Sequence, residues 1–483
     1  MYIHGQPDFS VLANPVLTVD NNSSVSVLYD TFASFEEGST VYNYTLVDGI
    51  AFTSHSSFGV SNPLVTCADS SPVPSINSIV SALSGTTPVA RLSTSSGGVI
   101  ECSSGSAFKL SVNNVDFGLC ALGPSGLTML GSDVDITVEY LTNRVDIVAP
   151  AVNVSTGHGC KAVASSSSLS SREKSLLTGE TNFSDSARML KAEFDFSLGE
   201  SCSCKSTPRP CIFIHGLGIR KEEPTNTNKR PRYWGDLTGH APCCSSMKFA
   251  VLDTIKYSWT DDSQQQKVCD RALAVSNTSH GTTISDTIIV THSMGGLMLA
   301  GAIATGKCSL ASSATWVSSA APMTGSMSSD YFQDSCKDDT NFFMETFVDL
   351  TRLCPPGDGI QSLAYENETY STPELNEAYA VARETYRTNV SALMCSKGHA
   401  GIYSIQYVQY RVLGNIVPHK SDQNDGLVEF QSCAAGISES KFGNTYRDRF
   451  YATELNHGDA AFRHGDSLVN EAKMPVKWFE CLL

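Results

Sequence analysis

Along residues 1–150 the apolar positions fall in short runs of period two, among them 25–29, 108–112 and 134–140. Gly, Ser, Asn and Pro separate these runs, and helical spacing is almost absent, which predicts an all-β, sandwich-like module. Residues 154–186 lose all period. The stretch Ala162-Val-Ala-Ser-Ser-Ser-Ser-Leu-Ser-Ser171 is small and polar, as in a flexible linker. From residue 187 the pattern alternates between strand and helix. Strands are expected at 211–214, 254–259, 286–290, 314–318, 405–413 and 449–455, and helices after Ser293 and at 262–276 and 373–390. Alternation of this kind builds a largely parallel sheet covered by helices, with reactive groups at the carboxyl ends of the strands. Residues 322–400 interrupt it and are too long for a plain loop, so they are expected to form a cap or lid. The predicted organisation is therefore a β-rich domain at 1–153, a Ser-rich linker at 154–186 and an α/β domain at 187–483 with 322–400 inserted.

Composition narrows the functional classes. With 483 residues, 41% hydrophobic and 17% charged, the chain can build more than one core. A net charge of −16 opposes nucleic acid and electrostatic docking on an anionic bilayer. Sixteen cysteines without a repeated C-x-x-C pair suggest disulfides and an oxidising compartment. Cys67, Cys102 and Cys120 could staple the β-rich module, in a pairing that spacing does not reveal. Cys202-x-Cys204 and Cys243-Cys244 lack zinc-ligand spacing, so no metal is expected there. Asn21, Asn22, Asn43, Asn153, Asn182, Asn277, Asn367 and Asn389 lie in N-x-S/T, consistent with a secreted glycoprotein. Met1-Tyr-Ile-His-Gly-Gln-Pro shows no leader, so a leader was removed or the sequence starts downstream of one. No stretch reads as a membrane span, and no hydrophobic tail follows Trp478.

The chemistry concentrates in Asp286-Thr-Ile-Ile-Val-Thr-His-Ser-Met-Gly-Gly-Leu-Met-Leu-Ala300. An apolar strand, a turn on Ser293 and a helix of small and apolar residues form the nucleophile elbow of a serine hydrolase. The turn lifts a weakly nucleophilic hydroxyl clear of the backbone and aims the Met294 N–H at a developing oxyanion. Gly295 and Gly296 leave room for the strand, while Thr291 stands where the usual G-x-S-x-G has its first glycine. A serine nucleophile requires a base and an acid that orients it, in the order Ser, acid, His. Gln423-Asn-Asp425-Gly-Leu-Val428 offers Asp425, with Asp422 as runner-up. Leu455-Asn-His457-Gly-Asp459 offers His457, with His464 in reserve, whereas His399 and His419 precede the acid. His215-Gly216-Leu217-Gly218 follows an earlier strand, so the Leu217 N–H is the second oxyanion donor and His215 a structural residue. Arg220, Lys221, Lys229, Arg230 and Arg232 form a basic loop nearby. It is read as solvated, with contact to an anionic head group as the alternative.

Together, His-Gly-Leu, His-Ser-Met-Gly-Gly, Gln-Asn-Asp-Gly-Leu-Val and Asn-His-x-Asp resemble the α/β-hydrolase superfamily, in particular lipases of the bacterial triacylglycerol lipase type. The resemblance spans roughly residues 205–470. It implies a triad of Ser293, Asp425 and His457, with Leu217 as an oxyanion donor. In many such lipases an Asp shortly after the histidine binds calcium; Asp459 occupies that place, and calcium stays unassigned because the sequence does not identify the remaining ligands. The expected protein is a secreted lipase- or esterase-like hydrolase without cofactor, acting on a small-molecule or lipid ester, with a lipid interface as partner. Two other readings are a deacylase of a glycolipid or inositol anchor and a non-catalytic surface protein that kept the fold.

Overall fold

Strand periodicity sorts the residues of the second half of the chain onto two faces of one sheet, and the site grows from that sheet. The computed structural model describes residues 6, 8–19, 25–57, 63–68, 76–89, 91–93, 98–102, 107–122, 125–131, 134–141, 143, 145–152, 160–168, 173, 177, 195–197, 202–337, 354–402, 404–467 and 470–483. They form two compact units, one of residues 1–201 with 468–471, the other of 202–467 with 472–483.

The first unit is β-rich but not purely β. Five antiparallel strands, Leu12–Val19, Val25–Glu37, Thr40–Val47, Ile50–Ser57 and Leu64–Ala68, lie side by side in chain order. A second sheet holds Ala107–Val112, Val115–Ala121, Gly126–Leu130 and Asp135–Glu139. The helix Ile76–Ala82 departs from the all-β expectation. Its apolar residues Ile76, Ile79 and Val80 do carry i, i+3, i+4 spacing, over too few residues to stand out. Part of the predicted linker is also built in. Ser167–Ser168 pairs with Ser26 and Val27, the N–H groups of Val163 and Ala164 donate to Gly49 O, and Cys160 is bonded to Cys67. Asp195–Ser197 pairs with Arg91–Ser93, so this unit extends past residue 187, the predicted start of the α/β domain.

The second unit is built on six parallel strands: β1 Arg209–Ile214, β2 Cys244–Ala250, β3 Ile288–His292, β4 Thr315–Ser319, β5 Val390–Ser396 and β6 Phe450–Thr453. Their order is β2-β1-β3-β4-β5-β6. The helices that matter for the site are α1 Asp262–Leu273, α2 Met294–Ala304, α3 Met327–Ser335, α4 Pro373–Asn389, α5 Ile405–Ile416 and α6 Pro475–Leu482. Ile212, Ile214, Ile289, Trp316 and Leu393 fill one core, against α2 and α4. Their neighbours Cys211, Phe213, Ile288, Val290 and Val317 fill the other, with Trp234 and Trp478. Burial on both faces is what a central parallel strand requires, and it explains the uninterrupted apolar run of β3. Helix α2 is apolar all round because the sheet covers one side and α4 packs on the other. α4 starts at Pro373 after Thr372, whose hydroxyl caps the Leu375 N–H, and buries Tyr379, Ala382 and Tyr386.

Three expectations change here. Residues 254–259 turn rather than extend, because Asp253 Oδ1 accepts the N–H groups of Ile255 and Lys256; the second strand lies upstream at β2. Residues 405–413 belong to helix α5, in which Tyr410 and Leu413, three residues apart, line one cavity. The alternation Ile-Gln-Tyr-Val-Gln-Tyr-Arg-Val-Leu satisfies both periods, and the chain adopts the helix. Finally, the stretch 322–400 is not one inserted cap, since α4 and β5 are parts of the sheet layers. Helix α3 and the residues up to 372 remain as an excursion, of which 338–353 lie outside the described residues. Among the described residues no helix is long and apolar enough to cross a membrane.

All sixteen cysteines are paired: besides Cys67–Cys160 and Cys102–Cys120 there are Cys202–Cys481, Cys204–Cys243, Cys211–Cys244, Cys269–Cys308, Cys336–Cys354 and Cys395–Cys433. Cys395–Cys433 ties β5 to the short helix Phe430–Ala434, and both residues are buried. Replacing both by alanine should cost about 2–4 kcal/mol and lower the melting temperature of this unit by roughly 4–16 °C. Calorimetry that finds the melting temperature unchanged contradicts the expectation.

Candidate active site

The strand order places a change of winding direction between β1 and β3. Beyond the carboxyl ends of these two strands lie His215-Gly216-Leu217 and Ser293, at the position where open parallel sheets gather ligand-binding groups. Ser293 joins β3 to α2 with φ 56° and ψ −133°, a conformation that costs a side-chain-bearing residue on the order of 1–3 kcal/mol. The glycines around it are required by contact. A Cβ on Gly295 would lie 2.4 Å from Ile214 O, and one on Gly216 would lie 2.5 Å from Ser293 Cβ. Thr291 is accommodated because its hydroxyl accepts the Trp316 Nε1–H at 2.9 Å and donates to Ser318 Oγ at 3.0 Å. Trp316 is thereby a core residue, fully buried against Tyr386.

His457 Nε2 lies 2.9 Å from Ser293 Oγ, and His457 Nδ1 lies 2.7 Å from Asp425 Oδ2. With Nδ1–H donating to the carboxylate, Nε2 is left to accept the serine proton. Asp425 is itself held, its Oδ1 accepting the N–H groups of Leu427 and Val428. The loops are joined as well, because the His457 N–H donates to Asp425 O. All three side chains are buried. The N–H groups of Leu217 and Met294 have no protein acceptor among the described residues. Of the reserve candidates, Asp422 is exposed and His464 Nδ1 pairs with Asp459 Oδ1 at 2.6 Å. His419 pairs with Glu429, while the ring of His399 packs against Gly414.

The carboxylate of Asp459 is engaged within the protein. Its Oδ2 accepts the Ile402 N–H, its Oδ1 takes His464, and no group of three potential ligands occurs among the described residues.

A buried relay holds the two loops together. Tyr233 OH accepts the Gly216 N–H and donates to His292 Nδ1, each at 2.7 Å. His292 Nε2–H then donates to His457 O at 2.9 Å. The relay thus runs from the glycine before Leu217 to the backbone of His457. His292, like Thr291, is a polar residue at the end of a fully buried strand, which signals a buried partner. Tyr233, distant in sequence, carries no such signal. His215 does what the sequence suggested: Nδ1–H donates to Gly216 O, and Nε2 accepts the Leu252 N–H.

The site opens on a cavity of about 250 Å³, lined by Leu217 and Ser293 and walled mainly by apolar side chains such as Phe332, Leu363, Leu413 and Val417.

No family model matches the chain, and no curated protein matches it. Among solved structures it is similar to the Staphylococcus hyicus lipase, at 12% identity and a TM-score of 0.32, covering 58% of this chain and 94% of that one. Lipase 1 from Pelosinus fermentans gives 11% and 0.30, covering 57% and 97%. Phospholipase PlaB from Legionella pneumophila, in complex with thio-NAD, gives 13% and 0.30, covering 47% and 44%. Similarity this low assigns no activity, which has to be argued from the chain's own residues.

Burial lowers the pKa of His215 from 6.5 to about 4, with the charge of Arg230 acting in the same direction. Burial likewise takes His292 well below its ordinary value, with His457 adding to the effect. Both imidazoles gain protons more readily in the unfolded chain. For His215 this contribution to stability is in place above pH 6.5 and is lost as the pH falls toward 4, at up to about 1.4 kcal/mol per pH unit, and that of His292 is lost in the same direction. Urea unfolding at pH 7, 6, 5 and 4 should show this slope, and His215→Gln should flatten it. A wild-type midpoint independent of pH over that interval rules out the neutral relay.

Proposed function

We propose that the chain is a secreted serine carboxylic-ester hydrolase of α/β-hydrolase type, with Ser293 as nucleophile, His457 as base and Asp425 as the acid that orients it. The observation that carries this reading is the continuous hydrogen-bonded line from Asp425 through His457 to Ser293, at an elbow with positive φ facing a cavity. A fold kept only for surface display leaves that backbone strain and the three buried polar side chains without a use.

In this mechanism His457 Nε2 takes the Ser293 proton as Oγ attacks the ester carbonyl. The Leu217 and Met294 N–H groups receive the oxyanion. His457 then gives its proton to the departing alcohol, leaving Ser293 acylated. Water, deprotonated by the same imidazole, releases the acid and restores the hydroxyl. Asp425 holds the Nδ1–H tautomer throughout. The apolar walls of the cavity favour an acyl chain, so lipid esters are the proposed substrate class. Eight disulfides suit an oxidising compartment outside the cell.

Ser293→Ala should lower turnover of p-nitrophenyl esters by a factor on the order of 10⁴ or more and abolish labelling by a fluorophosphonate. A series of graded acyl lengths identifies the chain the cavity prefers. Wild-type labelling of the alanine variant sinks the assignment.

A further inference from the structure

Among the described residues lining the cavity before Ser293, Arg463 alone carries a permanent charge, and no carboxylate of that set shares the lining with it. Its guanidinium is fixed by neutral groups. Nη1 donates to Gln406 Oε1 at 2.9 Å, Nε donates to Tyr233 O at 3.4 Å, and the guanidinium carbon stands 5.4 Å from the Tyr233 ring centre. Among the described residues no Asp or Glu pairs with it; Asp459, four residues upstream, is already engaged by His464 and the Ile402 N–H. In a chain of net charge −16, Arg463 is a half-buried cation on the cavity lining with no ion-pair partner among the described residues, which suits an anionic ligand. Nη2 and the second proton of Nη1 have no acceptor among the described residues, so donors on both terminal nitrogens remain for a two-point contact.

The location says which half of the substrate is met. A Cβ on Gly458, the residue after His457, would lie 2.6 Å from Gln406 Oε1, the atom that holds Arg463. The guanidinium therefore sits on the side of the base, where the departing alcohol receives its proton. Its backbone is braced, since a Cβ on Gly235 would lie 3.1 Å from Arg463 Cα. A planar guanidinium with donors on both terminal nitrogens matches the oxygens of a phosphate in a two-point contact.

We propose that Arg463 recognises a phosphate on the alcohol half of the ester, so that the preferred substrates are acyl esters of a phosphorylated alcohol such as glycerol phosphate. This rests on the reading of Ser293 as nucleophile and names the substrate class of that site.

The test pairs two soluble esters with one acyl group, 1-butyrylglycerol and 1-butyrylglycerol 3-phosphate. Their affinities are measured calorimetrically in the Ser293→Ala protein and their turnover in the wild type. The phosphate ester should bind at least about tenfold tighter, and the advantage should shrink with rising salt. Adding Arg463→Gln should erase about ten- to a hundredfold of its affinity, with a much smaller loss for the neutral ester. Arg463→Lys should recover part of it, and in the wild-type background the loss should appear in KM rather than kcat. Equal affinity for the two esters, or equal losses in Arg463→Gln, overturns the proposal and leaves Arg463 as a brace between Gln406 and Tyr233. If Arg463→Gln fails to fold, the preference of the parent protein and its salt dependence still decide. Phosphate-selective binding with neither ester turned over refutes the hydrolase reading but not the arginine; turnover without selectivity does the reverse.

Discussion

The backbone of Ser293, held at φ 56° between a strand and a helix, is the constraint on which the rest of the site depends. It is tolerable only because neighbouring chains come close from several directions. Gly295 lets α2 approach the end of β1, Gly216 lets the following loop touch the serine, and Ser319 O accepts the Ser293 N–H. The contacts come from β1 with its following loop and from β4, the two strands that flank β3 in the parallel sheet. The strain is stored locally, and the surrounding cores hold the conformation in place.

The relay through Tyr233 and His292 extends that control. By linking the Gly216 N–H to the His457 carbonyl, it fixes the spacing between the loop that bears the proposed oxyanion donor and the loop that bears the proposed base. Burial favours neutral imidazoles in His215 and His292, which lets each ring act as one donor and one acceptor. Acid is therefore expected to loosen the scaffold around the site. Tyr233 also connects this relay to Arg463, so the side proposed to meet the alcohol half is braced by the same phenol.

Much of the second unit was legible because its signals are local. The run at β3 is apolar on both faces, the small residues after Ser293 are forced by close packing, and Asp425 and His457 sit in short turn-forming segments in the expected order. Where local pattern was ambiguous, packing decided. Residues 405–413 satisfy both a strand and a helix, and in the fold they form a helix that puts Tyr410 and Leu413 on the cavity wall. Residues 254–259 look extended, yet Asp253 turns the chain and Trp259 tucks beneath Tyr379. The serine-rich stretch around 162–168 lacks period, but pairing with residues 26 and 27 and the bond from Cys160 to Cys67 hold it as structure.

By itself, then, the chain determined the strand, turn and helix around Ser293, the short turn-forming segments that carry Asp425 and His457, and a cysteine content suited to disulfides, since each depends on residue type and short spacing. Tertiary structure alone decided which cysteines pair, that Tyr233 and His292 couple the two loops, and that Arg463 lines the cavity with no ion-pair partner among the described residues. Those facts rest on contacts between residues far apart in sequence, and no local period or motif carries that information.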